Sequence, residues 1–206
     1  MENCTKFQIN LNVSRTALKL REEHMTHNKL QIGCGDKSLN GWINADIKKG
    51  DLLLDARKRF PFKNASIDLL FHEHFLEHLD YPDEASIFIA ECYRVLTPEG
   101  VMRIAVPDAE YAIRAYINGD TTYFERCRRL WHPSYCTTEM ESINFLFRQR
   151  NQHKFAYDYT TLRKLLEQQQ FEVKKSEFMG SQHTDLRVDS WNDSSTLYVE
   201  AIKVKK

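Results

Sequence analysis

The stretch FHEHFLEHL, residues 71–79, places three histidines and two glutamates within seven positions. His74, Glu77 and His78 spell H-x-x-E-H, one written form of a zinc-protease helix. That chemistry needs both imidazoles on one helix face and a third ligand from elsewhere in the chain. The later histidines, His132, His153 and His183, show no ligand spacing, and Pro82 limits a helix here to about two turns. No metal is therefore expected. The plainer reading packs Phe75, Leu76 and Leu79 inward and leaves Glu77 and His78 to cap a turn or face water. His74 stands where a substrate-facing base could sit, just past a buried strand.

A second candidate group begins at LQIGCGD, where Gly33 and Gly35 follow an apolar run directly. Glycines at such a turn admit positive φ and let a ligand approach the backbone closely, although a tight turn alone explains them equally well. Asp46 ends the next apolar segment, where a carboxylate can accept from ribose hydroxyls. Asp55 and Ala56 follow the third apolar patch. Asp108 and Tyr111, in VPDAEY, are further base candidates, with a helix N-cap as the structural alternative for Asp108. Tyr157 and Asp158 could line a substrate side or belong to the core.

These residues need elements to hold them. KLQI, GWINADI (41–47), DLLLDA (51–56), SIDLLF (66–71) and VMRIAVP (101–107) read as short buried strands. Residues 83–96 carry apolar side chains at helical spacing until TPEG stops them. The alternation implies an α/β parallel sheet. Residues 108–150 read as helical, with many aromatics and arginines, among them RCRR at 126–129, read as a solvated face. YTTLRKLLEQQQ (159–170) is a helix with a threonine cap, and FEVKKSEF and TLYVEAIKV are late strands forming an antiparallel hairpin at one edge. SRTALKLREEHM forms a surface helix capped by Ser14.

In order, LQIGCG, NADI, LLDARKRFPF, SIDLLFHEHFLEHL and ECYRVLTPEGVMRIAVPD resemble the class I S-adenosylmethionine-dependent methyltransferases, nearest to a compact bacterial group of predicted methyltransferases, some linked to cell-surface sugars. The resemblance is dense from Lys29 to Asp108 and echoes weakly after Phe155. It implies a Rossmann-like, mostly parallel sheet, S-adenosyl-L-methionine as cofactor, and methyl transfer to a small-molecule or saccharide acceptor. Gly33, Cys34 and Gly35 would meet the methionine part, Asp46 the ribose, and Asp55 with Ala56 the adenine. His72 and Glu73 would lie under the sulfonium end, with His74 or Asp108 as general base.

The chain also departs from the pattern. Gln31 replaces a common acid, Lys37 stands at the third glycine, and only 10 residues separate Gly35 from Asp46 and four separate Asp46 from Asp51. A parallel crossover usually takes about a dozen residues. The early helices must be truncated, or the second and third strands are not an ordinary parallel pair. An open cofactor edge follows, covered by Trp42 or by the N-terminal helix. A non-catalytic module with a degraded cofactor site, a nicotinamide-dependent oxidoreductase and a zinc hydrolase remain as rival readings; the G-x-G-x-x-G of the oxidoreductase is missing.

The 206 residues fit one domain, with a core at 29–108, a helical lid at 109–158 and a C-terminal helix and strands at 159–206. Twenty-nine basic and 29 acidic residues cancel, so no nucleic-acid partner is evident. No apolar run reaches the roughly 20 residues of a membrane span. Five cysteines, without a CxxC pair, suit a reduced cytoplasmic protein rather than a disulfide framework. Oligomeric state is not written in the sequence.

Overall fold

The computed structural model describes residues 28–191 and 195–205, so the Ser14-capped helix lies outside the described residues. Seven strands form one sheet in the order β3-β2-β1-β4-β5-β7-β6. They are β1 (Lys29–Ile32), β2 (Ile43–Asp46), β3 (Leu52–Leu53), β4 (Ile67–Glu73), β5 (Leu96–Pro107), β6 (Phe171–Ser176) and β7 (Thr196–Lys203). Only β7 runs antiparallel to its neighbours, and it slots between β5 and β6 rather than forming the edge itself. TPEG does not end the strand pairing but loops out of it: Ile67 pairs Leu96, whereas Leu69 pairs Val101.

No helix lies between β1 and β4. The second and third strands are nevertheless parallel to the first. The short connections suffice because the strands are short. β3 pairs only through Ala45–Leu52 and Asp46–Leu53, so the chain has to backtrack only a residue or two. At roughly 3.3 Å per residue, a short loop covers that return without helical packing. Gly50, at φ +87°, makes the reversal; a Cβ there would sit 2.5 Å from the Asn44 carbonyl oxygen. The Asp51 carboxylate accepts from the Asn44 backbone N–H at 3.0 Å and from its side chain at 2.9 Å, clamping the loop to β2.

The two sheet faces are covered differently. On one, Leu30, Leu70, Met102 and Ile104 pack against Phe88, Ile89 and Cys92 of α1 (Asp83–Val95). Leu162, Leu165 and Leu166 of α5 (Tyr159–Gln168) complete that layer. On the other face, Leu69, Phe71 and Val101 meet Trp42, Leu39 and Val188 from loops and Leu186 from a 3-10 turn. Trp42 thus covers the sheet face and is 3% exposed; it does not shield a cofactor edge. Between β5 and α5, the helices α2 (Ala109–Ile117), α3 (Thr121–Leu130) and α4 (Glu139–Arg148) pack around Phe124, Cys127 and Leu146. Asp108, Asp120, Thr138 and Asp158 accept from the backbone at the four successive helix starts, as short polar side chains do at N-caps.

The loop between β6 and β7, with a 3-10 turn at Thr184–Leu186, crosses this second face as a strap. Its anchor is Arg103 of β5, wholly buried. The guanidinium donates to both Asp189 carboxylate oxygens (2.7 and 2.5 Å), to Ser176 Oγ (3.0 Å) and to the Glu177 carbonyl (2.6 Å). Glu200 stands 3.4 Å away and the Tyr198 ring 5.4 Å. Removing one member of a buried pair leaves the other charge uncompensated, at about 3–5 kcal/mol. Asp189→Ala is expected to lose that much in urea unfolding; a loss below about 1 kcal/mol would show that the pair does not hold the strap. Gly50→Ala should cost at least about 1 kcal/mol for the left-handed backbone, read the same way.

Candidate active site

The ends of β1, β2 and β4 meet on one side of the sheet. Beyond β1, the Gly33 and Cys34 N–H groups both donate to the Ala45 carbonyl (2.8 and 3.2 Å), tying the glycine turn to β2. Gly33 has φ +71°, and a Cβ there would fall 2.5 Å from the Phe75 ring. Gly35 has φ +50°, with no heavy atom within 4 Å of its Cβ position. The first glycine is thus demanded by packing, while the second leaves its backbone open to a ligand. Gln31 donates to the Lys37 carbonyl at 3.1 Å and supports the turn from below. Burial, followed by the nearby Asp46 charge, pushes the Cys34 thiol up, so it is not a poised nucleophile.

Asp46 receives the Gly35 N–H at 3.3 Å and the Lys48 N–H at 2.8 Å. It therefore joins the glycine turn to the end of β2 and brings a carboxylate to the open Gly35. Asp55 is engaged otherwise. Arg57 grips it through Nε (2.8 Å) and a terminal nitrogen (3.1 Å). The Arg57 hydrogen bonds hold its carboxyl down to about 2. Ala56 beside it is buried at 6% exposure.

At the end of β4 the predicted residues diverge. The His72 side chain lies in the core, its ring 5.2 Å from Phe88 and 6.0 Å from Phe75. Burial lowers it to about 4, so the ring is neutral, and neither nitrogen has a hydrogen-bond partner. His72 could meet a cofactor only through its backbone. Glu73 points to the opposite face and takes the strap: the Ser190 N–H donates at 2.9 Å, the Ser190 hydroxyl also donates, and the Trp191 N–H lies at 3.3 Å. Lys37 donates to Ser190 Oγ at 2.8 Å, with its ammonium 5.0 Å from the Trp191 ring centre. A bridge from Lys37 through Ser190 to Glu73 thus spans the ends of β1 and β4.

His74 adopts a left-handed backbone, φ +49°, with its N–H donating to the Ala105 carbonyl at 2.9 Å. That conformation is uncommon for residues other than glycine and is concentrated where function requires it. It turns the imidazole over the sheet end, 5.6 Å from the Trp191 ring and 3.4 Å, by Nδ1, from Glu77. No long helix follows; Leu76–His78 make one 3-10 turn. Glu77 does not face water as expected from the sequence. It is 1% exposed, and neither carboxylate oxygen has a hydrogen bond. Burial pushes its carboxyl up, but the histidines on either side outweigh that and hold it below its ordinary value. The Lys154 N–H donates to the Glu77 carbonyl at 2.7 Å, which places His153 Nε2 4.0 Å from the same carboxylate. No periodicity relates residues so far apart in sequence, which is why spacing did not reveal His153.

A cavity of about 230 Å³ opens here, lined by His74, Glu77, His153, Trp131 and Trp191. Its wall at the end of β5 is made by Pro107 rather than Asp108. Asp108 caps α2, accepting the Tyr111 N–H at 3.1 Å, and burial raises its carboxyl. Tyr157 is fully buried in the core, and Asp158 caps α5. Of the two base candidates, only His74 faces the cavity.

Residues 9–104 match the family model described as a methyltransferase domain. No curated protein shows a significant sequence match to the chain. Among solved structures, an S-adenosylmethionine-dependent methyltransferase from Archaeoglobus fulgidus is 18% identical, with TM-score 0.52, over 91% of this chain and 92% of its own. A putative methyltransferase from Bacillus halodurans is 15% identical, with TM-score 0.52, over 93% and 100%. At such identities these likenesses speak to the fold, and the domain match covers 96 of the 206 residues. Its strand order, single reversed strand and glycine turn give the chain the fold of these methyltransferases, and residues 9–104 are similar to the methyltransferase-domain model.

Proposed function

We propose that this enzyme transfers the methyl group of S-adenosylmethionine to a small-molecule or sugar-like acceptor held in the cavity beside His74. The observation that carries the reading is the placement of Gly35 and His74 at neighbouring strand ends: an open glycine turn on β1, and an imidazole turned over β4 into a cavity of limited size. The chain's balanced charge offers no footprint for a polyanionic acceptor. Trp131 and Trp191 supply flat apolar walls of the kind that suit a ring-shaped acceptor.

Bound S-adenosylmethionine supplies an electrophilic methyl carbon on sulfur. The chain's own part is positioning, which is the larger share of such a displacement. Gly33, Cys34 and Gly35 would cradle the methionine portion, and Asp46 would turn its oxygens to the ribose hydroxyls. Ala56 and the backbone near Asp55 would border the adenine; the Asp55 carboxylate would first have to release Arg57. Glu73 would act through the strap and His72 through its main chain. His74 would take the acceptor's proton. Asp108 stays in this scheme as the cap of α2. Helices α2–α4 would form the lid over the acceptor.

One observation favours a second reading. The bridge from Lys37 through Ser190 to Glu73 crosses the gap between two strand ends that a cofactor would use. A binding module that holds cofactor without turnover would tolerate such a bridge.

Calorimetry with S-adenosylhomocysteine should show one site per chain, and no binding at millimolar ligand would refute the cofactor assignment. Asp46→Ala should weaken that binding about tenfold or more, the worth of a charged hydrogen bond; an unchanged affinity would remove Asp46 from the site. Against a panel of hydroxyl and amine acceptors, His74→Ala should lower kcat by about 10²–10⁴ while leaving cofactor affinity intact. Tight cofactor binding with no turnover on any acceptor would select the second reading.

A further inference from the structure

The Glu77 carboxylate is the least explained polar group among the described residues. It is wholly buried, and its nearest charged neighbour is His74 Nδ1 at 3.4 Å, outside good hydrogen-bond geometry. A buried carboxylate without partners is costly, so a native chain keeps one only when something neutralises it. Besides His74, two further histidines stand close to it. One ligand atom each from Glu77, His78 and His153 lies within 4.8 Å of the others.

The outer hydrogen bonds of the two imidazoles fix which nitrogen is available. His78 Nδ1 lies 3.1 Å from the Gln152 carbonyl oxygen, and His153 Nδ1 lies 2.6 Å from the Leu146 carbonyl oxygen. A carbonyl can only accept, so each Nδ1 carries the proton. In the neutral ring each Nε2 then keeps its lone pair, and that of His153 stands 4.0 Å from Glu77. A ring nitrogen anchored on a backbone carbonyl, with the other left free, is the usual support of a metal-ligating histidine.

We propose that Glu77, His78 and His153 form a binding site for one divalent transition-metal ion of the zinc type, with an open coordination position facing the cavity beside His74. Two imidazoles and a carboxylate are a borderline donor set, suited to such an ion rather than to magnesium or calcium, which prefer oxygen. Metal–ligand bonds of about 2.0–2.2 Å in a tetrahedral site put ligand atoms about 3.3 Å apart, so the cluster needs to tighten by only an ångström or so. The site does not use the helix that H-x-x-E-H suggests. His74 lies outside the ligand set and flanks the open position, while His153 takes the third place. The ion site stands independently of methyl transfer. Its consequence for that reaction, that an acceptor oxygen completes the coordination sphere, rests on the function proposed above.

The test uses the full chain without a histidine tag, stripped with a chelator and then titrated with zinc by calorimetry and with cobalt(II) by visible absorption. One equivalent of zinc and cobalt d–d bands of a low-coordinate site are expected. His78→Ala and His153→Ala should each weaken zinc binding by about tenfold or more, whereas His183→Ala, outside the cluster, should not. Circular dichroism on each variant separates lost ligation from lost folding, and the two histidine variants keep the test open if Glu77→Gln fails to fold. No saturable binding of either ion at millimolar concentration overturns the proposal, as does unchanged affinity in the folded His78 and His153 variants. S-adenosylhomocysteine binding on the same samples keeps the readings apart. Cofactor binding without metal binding refutes the ion alone, and metal binding without cofactor binding refutes methyl transfer alone.

Discussion

A guanidinium sealed from water must find acceptors, and Arg103 in the middle of β5 finds them in the returning strap, at the end of β6 and on β7. Among the described residues no α-helix covers Phe71, Leu69 and Val101. The strap from β6 to β7 covers them with Leu186 and Val188, and the Arg103–Asp189 pair keeps it in place. The next two residues after Asp189 reach Glu73 and Lys37. One buried charge pair thus holds both the cover of the core and the surroundings of the site. Buried ion pairs of this kind contribute less to net stability than to fixing one arrangement among several.

The same economy shapes the first strands. Connections too short for helices are workable because β2 and β3 pair over so few residues. The loss of helical packing is offset locally, by Asn44, Gly50 and Asp51 on one side and by Gln31 beneath the glycine turn on the other. These are polar clamps rather than apolar ones, as befits a loop lying at the rim of a sheet where ligands approach.

Much of the fold was legible because it rests on local pattern. The strands at 29–32, 43–46 and 67–73, the 101–107 part of β5, the helix at 83–95 and the Asp108 cap each follow from a few adjacent residues, whereas the threonine expected to cap the 159–170 helix gives way to Asp158. Asp46 and the glycine turn were legible for the same reason. The parts that were not readable depend on chain meeting chain. His72 alternates to the core face while Glu73 alternates to the strap, and only the register with β5 decides which. Trp42 reads as a possible lid until the bare sheet face beneath it is seen. His153 owes its place to two hydrogen bonds onto the Glu77 carbonyl, which no spacing rule anticipates. The resemblance supplied the order of the elements, but the absence of helices between β1 and β4 came only from counting residues against strand length.

The brevity of β3 has a further effect at the margin of the sheet. An outer strand offers unpaired backbone groups to any other chain that passes, and a long flat one invites stacking between molecules. With only Leu52 and Leu53 in register, this margin exposes almost no template. At the opposite margin, β6 carries Glu172, Lys174 and Lys175, which resist the approach of a like strand. The sheet is thus blunted on both flanks, by shortness on one and by charge on the other, and its self-association in concentrated solution is discouraged by the same short strand that lets the first three strands do without helices.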